Sequence, residues 1–150
     1  MTRLDSPLLA VSPNGEARLI PNSYEGIKAG LNEACFDFVL ASPTAGFFID
    51  DEGMLNGSTL NVAASMFASR PLYGPVVLCA AQTDDDGETL PPTDSDVRFM
   101  AALAAWWQAV VLNAAEVGQD VSVRANPDTI PPPTIVPMNE DEFEAWLQGR

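Results

Sequence analysis

The chain contains no histidine and a single lysine, Lys28. Without an imidazole it can build neither a Ser-His-Asp triad nor a Cys-His pair, and histidine general-base and metal chemistry are closed to it. Cations of any kind are scarce: 7 Lys+Arg stand against 21 Asp+Glu, a formal net charge of −14. Seven scattered basic residues do not make the clustered face that a phosphate backbone requires, which argues against direct nucleic-acid binding. Cysteine is also sparse. Cys35 and Cys79 each sit in an apolar run with no Cys-x-x-Cys spacing, and read as two buried free thiols of a reducing compartment. The longest apolar stretch, residues 99–115, is alanine-rich and broken by Gln108 and Asn113. A membrane span needs about 20 strongly apolar residues, so this stretch reads as a buried or interface helix. Residues 1–13 lack the apolar core and cleavage site of a signal peptide. The expectation is a soluble protein with no membrane association.

What is present suits one core: 150 residues, 47% of them hydrophobic. Residues 8–11 and 17–20 are apolar runs flanking Pro13-Asn14-Gly15, a strong hairpin signal. Ser23 can cap a short helix carrying Ile27, Leu31 and Ala34, although Gly26 and Gly30 weaken it. Residues 36–40 and 46–50 read as strands separated by Ser42-Pro43-Thr44. Residues 60–68 read as a short helix stopped before Pro71. Residues 75–81 form a continuous apolar run, the mark of a central strand. Residues 82–96 are an acidic, proline-containing loop. Thr93 then caps a long helix, with Asp94 and Asp96 favoured in its first turn. Its expected apolar stripe is Phe99, Leu103, Trp106 and Val110, broadened by Met100, Trp107 and Val111.

Five prolines between 119 and 137 predict an extended linker. Beyond it, Asn139 and Glu142 form a capping box, Met138 can staple to Phe143, and Gly149 can end the helix. The expected fold is therefore α+β. It has a small mixed or antiparallel sheet with short helices, one long apolar-faced helix and a tethered C-terminal helix. The organisation is a single α+β domain over 1–118, a Pro-rich linker over 119–137 and a short docking helix over 138–150.

One stretch carries a resemblance. Asp50-Asp51-Glu52-Gly53-Met54-Leu55-Asn56-Gly57-Ser58-Thr59-Leu60-Asn61 resembles the signature of a phage and mobile-element family, domain of unknown function 3846. That signature reads Asn-Glu-Glu-Gly-Lys-Leu-Asn-Gly, two variable residues, an apolar residue and Asn. The similarity extends over about residues 8–96, through a preceding helix and strand and a following Gly-led strand and acidic stretch. Met54 stands where lysine is usual and Thr59 where proline is frequent. The resemblance implies a bacteriophage or mobile-element product acting in the host bacterial cytoplasm, with the virion as the alternative. The family carries no biochemical activity over to this chain.

Three constellations could carry chemistry. Asp50, Glu52, Asn56 and Asn61 either cap backbone groups in a turn cluster or line a polar pocket for a small ligand. As a catalytic carboxylate pair they lack a partner in a second role. Asp84, Asp85 and Asp86 suggest a calcium loop, but the best register puts Gln82 and Thr93 at two places that must be acidic. They read as a solvated loop or a surface for a basic partner, and neither a metal nor a cofactor is expected. Phe143, Trp146 and Leu147 share one face of a helix too short to be stable alone, so they need a surface, in cis or in trans. The functional expectation is a non-enzymatic acidic protein that binds and modulates a host defence or nucleic-acid-processing protein. The alternatives are a small-molecule binder that sequesters a nucleotide-like signal, with phosphate falling to Arg70, Arg98 or helix N-termini, and a virion or assembly component that forms homo-oligomers.

Overall fold

The computed structural model describes residues 7–31, 36–50, 59–116 and 136–148. Its elements, in chain order, are β1 (Leu8–Val11), β2 (Ala17–Ile20), α1 (Tyr24–Leu31), β3 (Phe36–Leu40), β4 (Ala45–Asp50), α2 (Val62–Ala68), β5 (Val76–Ala80), α3 (Asp94–Glu116) and α4 (Glu140–Gln148). The five strands form one sheet in the order β2-β1-β5-β4-β3, and every pairing is antiparallel. The architecture is α+β, as the apolar patterning predicts, and the sheet is antiparallel rather than mixed.

Two hairpins supply the four outer positions, and β5 closes the sheet between them. The first hairpin pairs Leu8 with Ile20 and Val11 with Ala17. Its turn is held by Gly15 N–H donating to Ser12 O at 3.0 Å and by Ser12 N–H donating to Glu16 O at 2.8 Å. The second hairpin pairs Phe38 with Phe48 and Leu40 with Gly46. All four residues of β1 are buried, as are Val76, Val77, Leu78 and Cys79 of β5. Continuous apolar runs therefore mark the strands covered on both faces.

The two faces have different covers. Leu9, Val11, Phe47, Val76 and Leu78 meet α2 and α3 in the larger core, with Met100, Leu103 and Trp107. Phe67 of α2 stands edge-on to both Phe47 (centroids 5.5 Å apart) and Phe99 (5.8 Å). The other face packs Leu8, Ala10, Ile20, Val77 and Cys79 against Ile27 and Leu31 of α1. Helix α1 lies close because Gly30 has no side chain: a Cβ there would stand 3.0 Å from Ile20 Cδ1 and 3.2 Å from Val77 Cγ2. Ser23 caps α1, its Oγ accepting from Gly26 N–H at 3.0 Å.

Two expectations are corrected. The helix expected over 60–68 begins at Val62, because Leu60 bridges to Tyr73 and Asn61 takes the N-cap. The buried stripe of α3 runs through Met100, Leu103, Ala104 and Trp107, with Phe99, Trp106 and Val110 only partly covered. Two features turn the helix this way. Trp107 Nε1–H reaches Pro13 O at 2.9 Å, and Gly15 lets the first hairpin's turn approach, since a Cβ there would stand 2.6 Å from Ala104 O. The expected linker over 119–137 lies outside the described residues except for Val136 and Pro137, as do Cys35 and Gly149. Over Asp94–Ala114, α3 is long and apolar enough to cross a membrane by length and composition. One face of it is occupied by the core.

Candidate functional site

Of the four residues expected to form a polar ligand pocket, Asp50 and Asn61 are described. Glu52 and Asn56 lie outside the described residues. Asp50 ends β4, opposite Phe36, and is half-buried. Asn61 is wholly buried. Its Oδ1 accepts from Ala64 N–H at 3.1 Å, and its Nδ2 donates to Val11 O at 3.0 Å and Gly74 O at 2.9 Å. Both amide donors are thereby used, and Asn61 ties α2 to β1 and to the approach of β5. Ser65 extends the tie, accepting from Leu72 N–H at 2.9 Å and donating to Asn61 O at 2.6 Å. Asn61 is a structural residue, which corrects its expected place in a ligand pocket.

The C-terminal helix forms as its local signals predict. Asn139 Oδ1 accepts from Glu142 N–H at 2.8 Å, and Glu142 Oε1 accepts from Asn139 N–H at 3.2 Å. Helix α4 then sits against α3, joined by Met138 N–H donating to Arg98 O at 3.3 Å. Trp146 packs on the larger core. Phe143 lies with its ring centroid 6.0 Å from that of Trp146, and Leu147 is half-buried beside them. Of the two surfaces expected for this apolar face, in cis or in trans, Trp146 takes the one in cis, yet no residue of α4 is fully buried.

The acidic loop is an ordered turn. Thr83 bridges to Thr89, and Asp84 Oδ1 accepts from the amides of both Asp86 and Glu88 at 2.9 Å. Gly87 takes a positive φ of 78° to close it. Asp84 thus shapes the loop, while Asp85 and Asp86 project into solvent. No group of three or more His, Cys, Asp or Glu positioned to hold a metal ion occurs among the described residues.

This loop forms the rim of a pocket that the sequence did not reveal. Where α1 stops covering the sheet, a cavity of about 290 Å³ opens between Phe38, Phe48, Cys79, Ala81, Thr83 and Thr89. Its floor is the aromatic pair Phe38 and Phe48, edge-on with centroids 5.7 Å apart. Gly46 permits that floor, because a Cβ there would lie 2.3 Å from Phe38 Cζ. Phe38 and Leu40 are exposed at 38% and 60%, an unusual investment for large apolar side chains on an edge strand. Cys79 underlies the pocket. Burial pushes its thiol up to about 12, and its Sγ donates to Gly46 O at 3.6 Å, so it stays a neutral thiol and serves as floor rather than nucleophile.

The chain segments that build the pocket carry charge of one sign. Residues 36–50 and 76–97 contain no Lys or Arg, but they include Asp37, Asp50, Asp84, Asp85, Asp86, Glu88, Asp94 and Asp96. Asp96 is pinned at the hairpin end, accepting from Thr44 Oγ1 at 2.7 Å and Thr93 Oγ1 at 3.0 Å. A second, larger cleft of about 580 Å³ lies by the first hairpin's turn, with Ser12, Glu16, Arg18, Pro75 and Gln108 among its lining. Arg18 Nη2 there donates to Ala29 O at 3.3 Å. The alternation of aromatic and acidic residues in Phe36-Asp37-Phe38 is the signal in the sequence that could have pointed to the apolar floor. No family model, curated protein or solved structure matches the chain.

Proposed function

We propose that this chain is a non-enzymatic acidic binding protein whose partner is a protein with a basic surface. The observation that carries this reading is the apolar Phe38/Phe48 pocket, rimmed by the acidic 83–89 turn and built from segments that contain no Lys or Arg. Apolar floors supply affinity, and a rim of single sign supplies steering and selects partners of opposite charge. The similarity of residues 50–61 to a phage and mobile-element signature supports a role in the host bacterial cytoplasm, against a host defence or nucleic-acid-processing protein. Such enzymes carry the basic faces that a chain of net charge −14 complements.

The direct test is selection from a random peptide display library on the full chain. Basic sequences with interspersed apolar residues are the expected winners. Asp85→Asn with Asp86→Asn, whose exposed side chains take no part in the turn hydrogen bonds described above, weakens them about three- to tenfold at low salt. Selection of acidic or neutral sequences, or binding unchanged by the double variant, contradicts the proposal.

The small-molecule alternative rests on the larger cleft, whose volume falls in the range of ligand pockets. Arg18 is the cation available there among the described lining residues, and Glu16 opposes an anionic ligand. A rise in Tm with a nucleotide, abolished by Arg18→Gln, is the result that would favour it over protein binding.

A further inference from the structure

The edge of the sheet beside the pocket has the form of a strand acceptor. We propose that β3 docks an extended basic segment of a partner protein by strand addition, with the segment's apolar side chains lying against Phe38 and Leu40. This rests on the protein-binding reading above and specifies its mode.

The hydrogen-bond parity of the second hairpin carries the argument. Ala41 N–H donates inward to Ala45 O at 3.0 Å, so residues 41, 39 and 37 direct their backbone groups at β4, and 38 and 40 direct theirs outward. Phe38 N–H agrees with this. It is turned away from β4 and held by the Asp37 carboxylate at 2.8 Å. The outward amides of Phe38 and Leu40 therefore face the space a sixth strand would occupy, alongside two exposed apolar side chains. Main-chain pairing gives affinity in this mode, and alternate side chains give specificity.

The charge of the edge selects the occupant. Asp37 lies on the strand itself, and the carboxylates of Asp96 and of the 84–88 turn lie towards its Leu40 end, with no Lys or Arg in 36–50 or 76–97. A second copy of this chain would bring its own Asp37 and a net −14 against the same surface, so pairing between copies is repelled and pairing with a basic strand is favoured. The opposite edge differs. There β2 carries Arg18 and no carboxylate.

The edge can be blocked without disturbing the sheet. Leu40→Pro removes an amide that bonds to nothing within the hairpin, and proline is tolerated on an edge where the amide faces out. Leu40→Val keeps the amide. The probe is a capped nine-residue peptide of alternating Lys and Val, with alternating Glu and Val as its counterpart, titrated against the full chain at about 50 mM salt. The Lys-Val peptide is expected to bind and the Glu-Val peptide not. Leu40→Pro should weaken binding by roughly tenfold or more, the worth of one or two main-chain hydrogen bonds. Leu40→Val should leave it within about threefold. Peptides N-methylated at odd or at even positions give a reading that needs no protein variant: one set should lose binding and the other keep it. Full affinity in Leu40→Pro and in both methylated sets means charge attraction without strand addition, which overturns this inference and leaves the broader reading standing. Failure of the wild-type chain to bind the Lys-Val peptide removes both. Self-association of the chain that Leu40→Pro abolishes also overturns the inference, in favour of a second copy.

Discussion

Asn61 shows how one side chain can hold three segments. It caps α2 and bonds the backbones of β1 and the β5 approach, all within the core. Asn61→Ala leaves two buried carbonyls unpaired and removes a cap, so a loss of about 2–4 kcal/mol is expected in chemical denaturation. Such a residue is invisible to sequence reasoning, because a buried tie and a ligand contact use the same amide. Cys79 makes a second prediction at this scale. Its thiol is raised in the folded state and ordinary when unfolded, so the native state holds its proton where the unfolded chain releases it. Its contribution is fully present below about pH 9 and fades from there to about 12, at up to about 1.4 kcal/mol per pH unit. Cys79→Ala should flatten that alkaline slope in the measured stability. Gly46→Ala, by contrast, meets first the tip of the Phe38 ring and then the Val39 carbonyl. It should swing Phe38 outward at a stability cost of about 1 kcal/mol and perturb the ring resonances of Phe38 and Phe48.

At the scale of elements, the legible parts were those written in local signals. The first hairpin, the Ser23, Thr93 and Asn139 caps and the β5 run buried over Val76–Cys79 all follow from residues a few positions apart. Long-range geometry was not legible. Helix α3 is apolar around most of its circumference, so periodicity could not choose between the Trp106 and Trp107 faces. Pro13, 94 residues away, decides it by accepting from the Trp107 indole. The pocket was missed for the same reason, since the Phe38–Phe48 contact exists only in the hairpin's register. Helix α4 was legible as a helix, but not as to where its apolar face goes. Because Trp146 packs on the core, Trp146→Ala should cost about 1–3 kcal/mol, below the value for a fully buried Trp. Removing residues 138–150 should lower Tm and raise binding of an apolar dye. An unchanged Tm would show that α4 does not rest on α3 in solution.

At the scale of the whole molecule, charge dominates. A net −14 on 150 residues repels itself in the compact state. Raising salt from about 20 to 500 mM should therefore raise Tm, while weakening the binding of any basic partner. The central claim is that one acidic feature, the β3 edge and the pocket beside the 83–89 turn, takes the partner, and that α4 is committed in cis. Hydrogen–deuterium exchange of the full chain, with and without the alternating Lys-Val peptide, tests that claim most directly. The account predicts slowed exchange confined to residues 36–41 and 82–90, with α4 unchanged. Protection centred on residues 140–148 and α3, with none along β3, would contradict it.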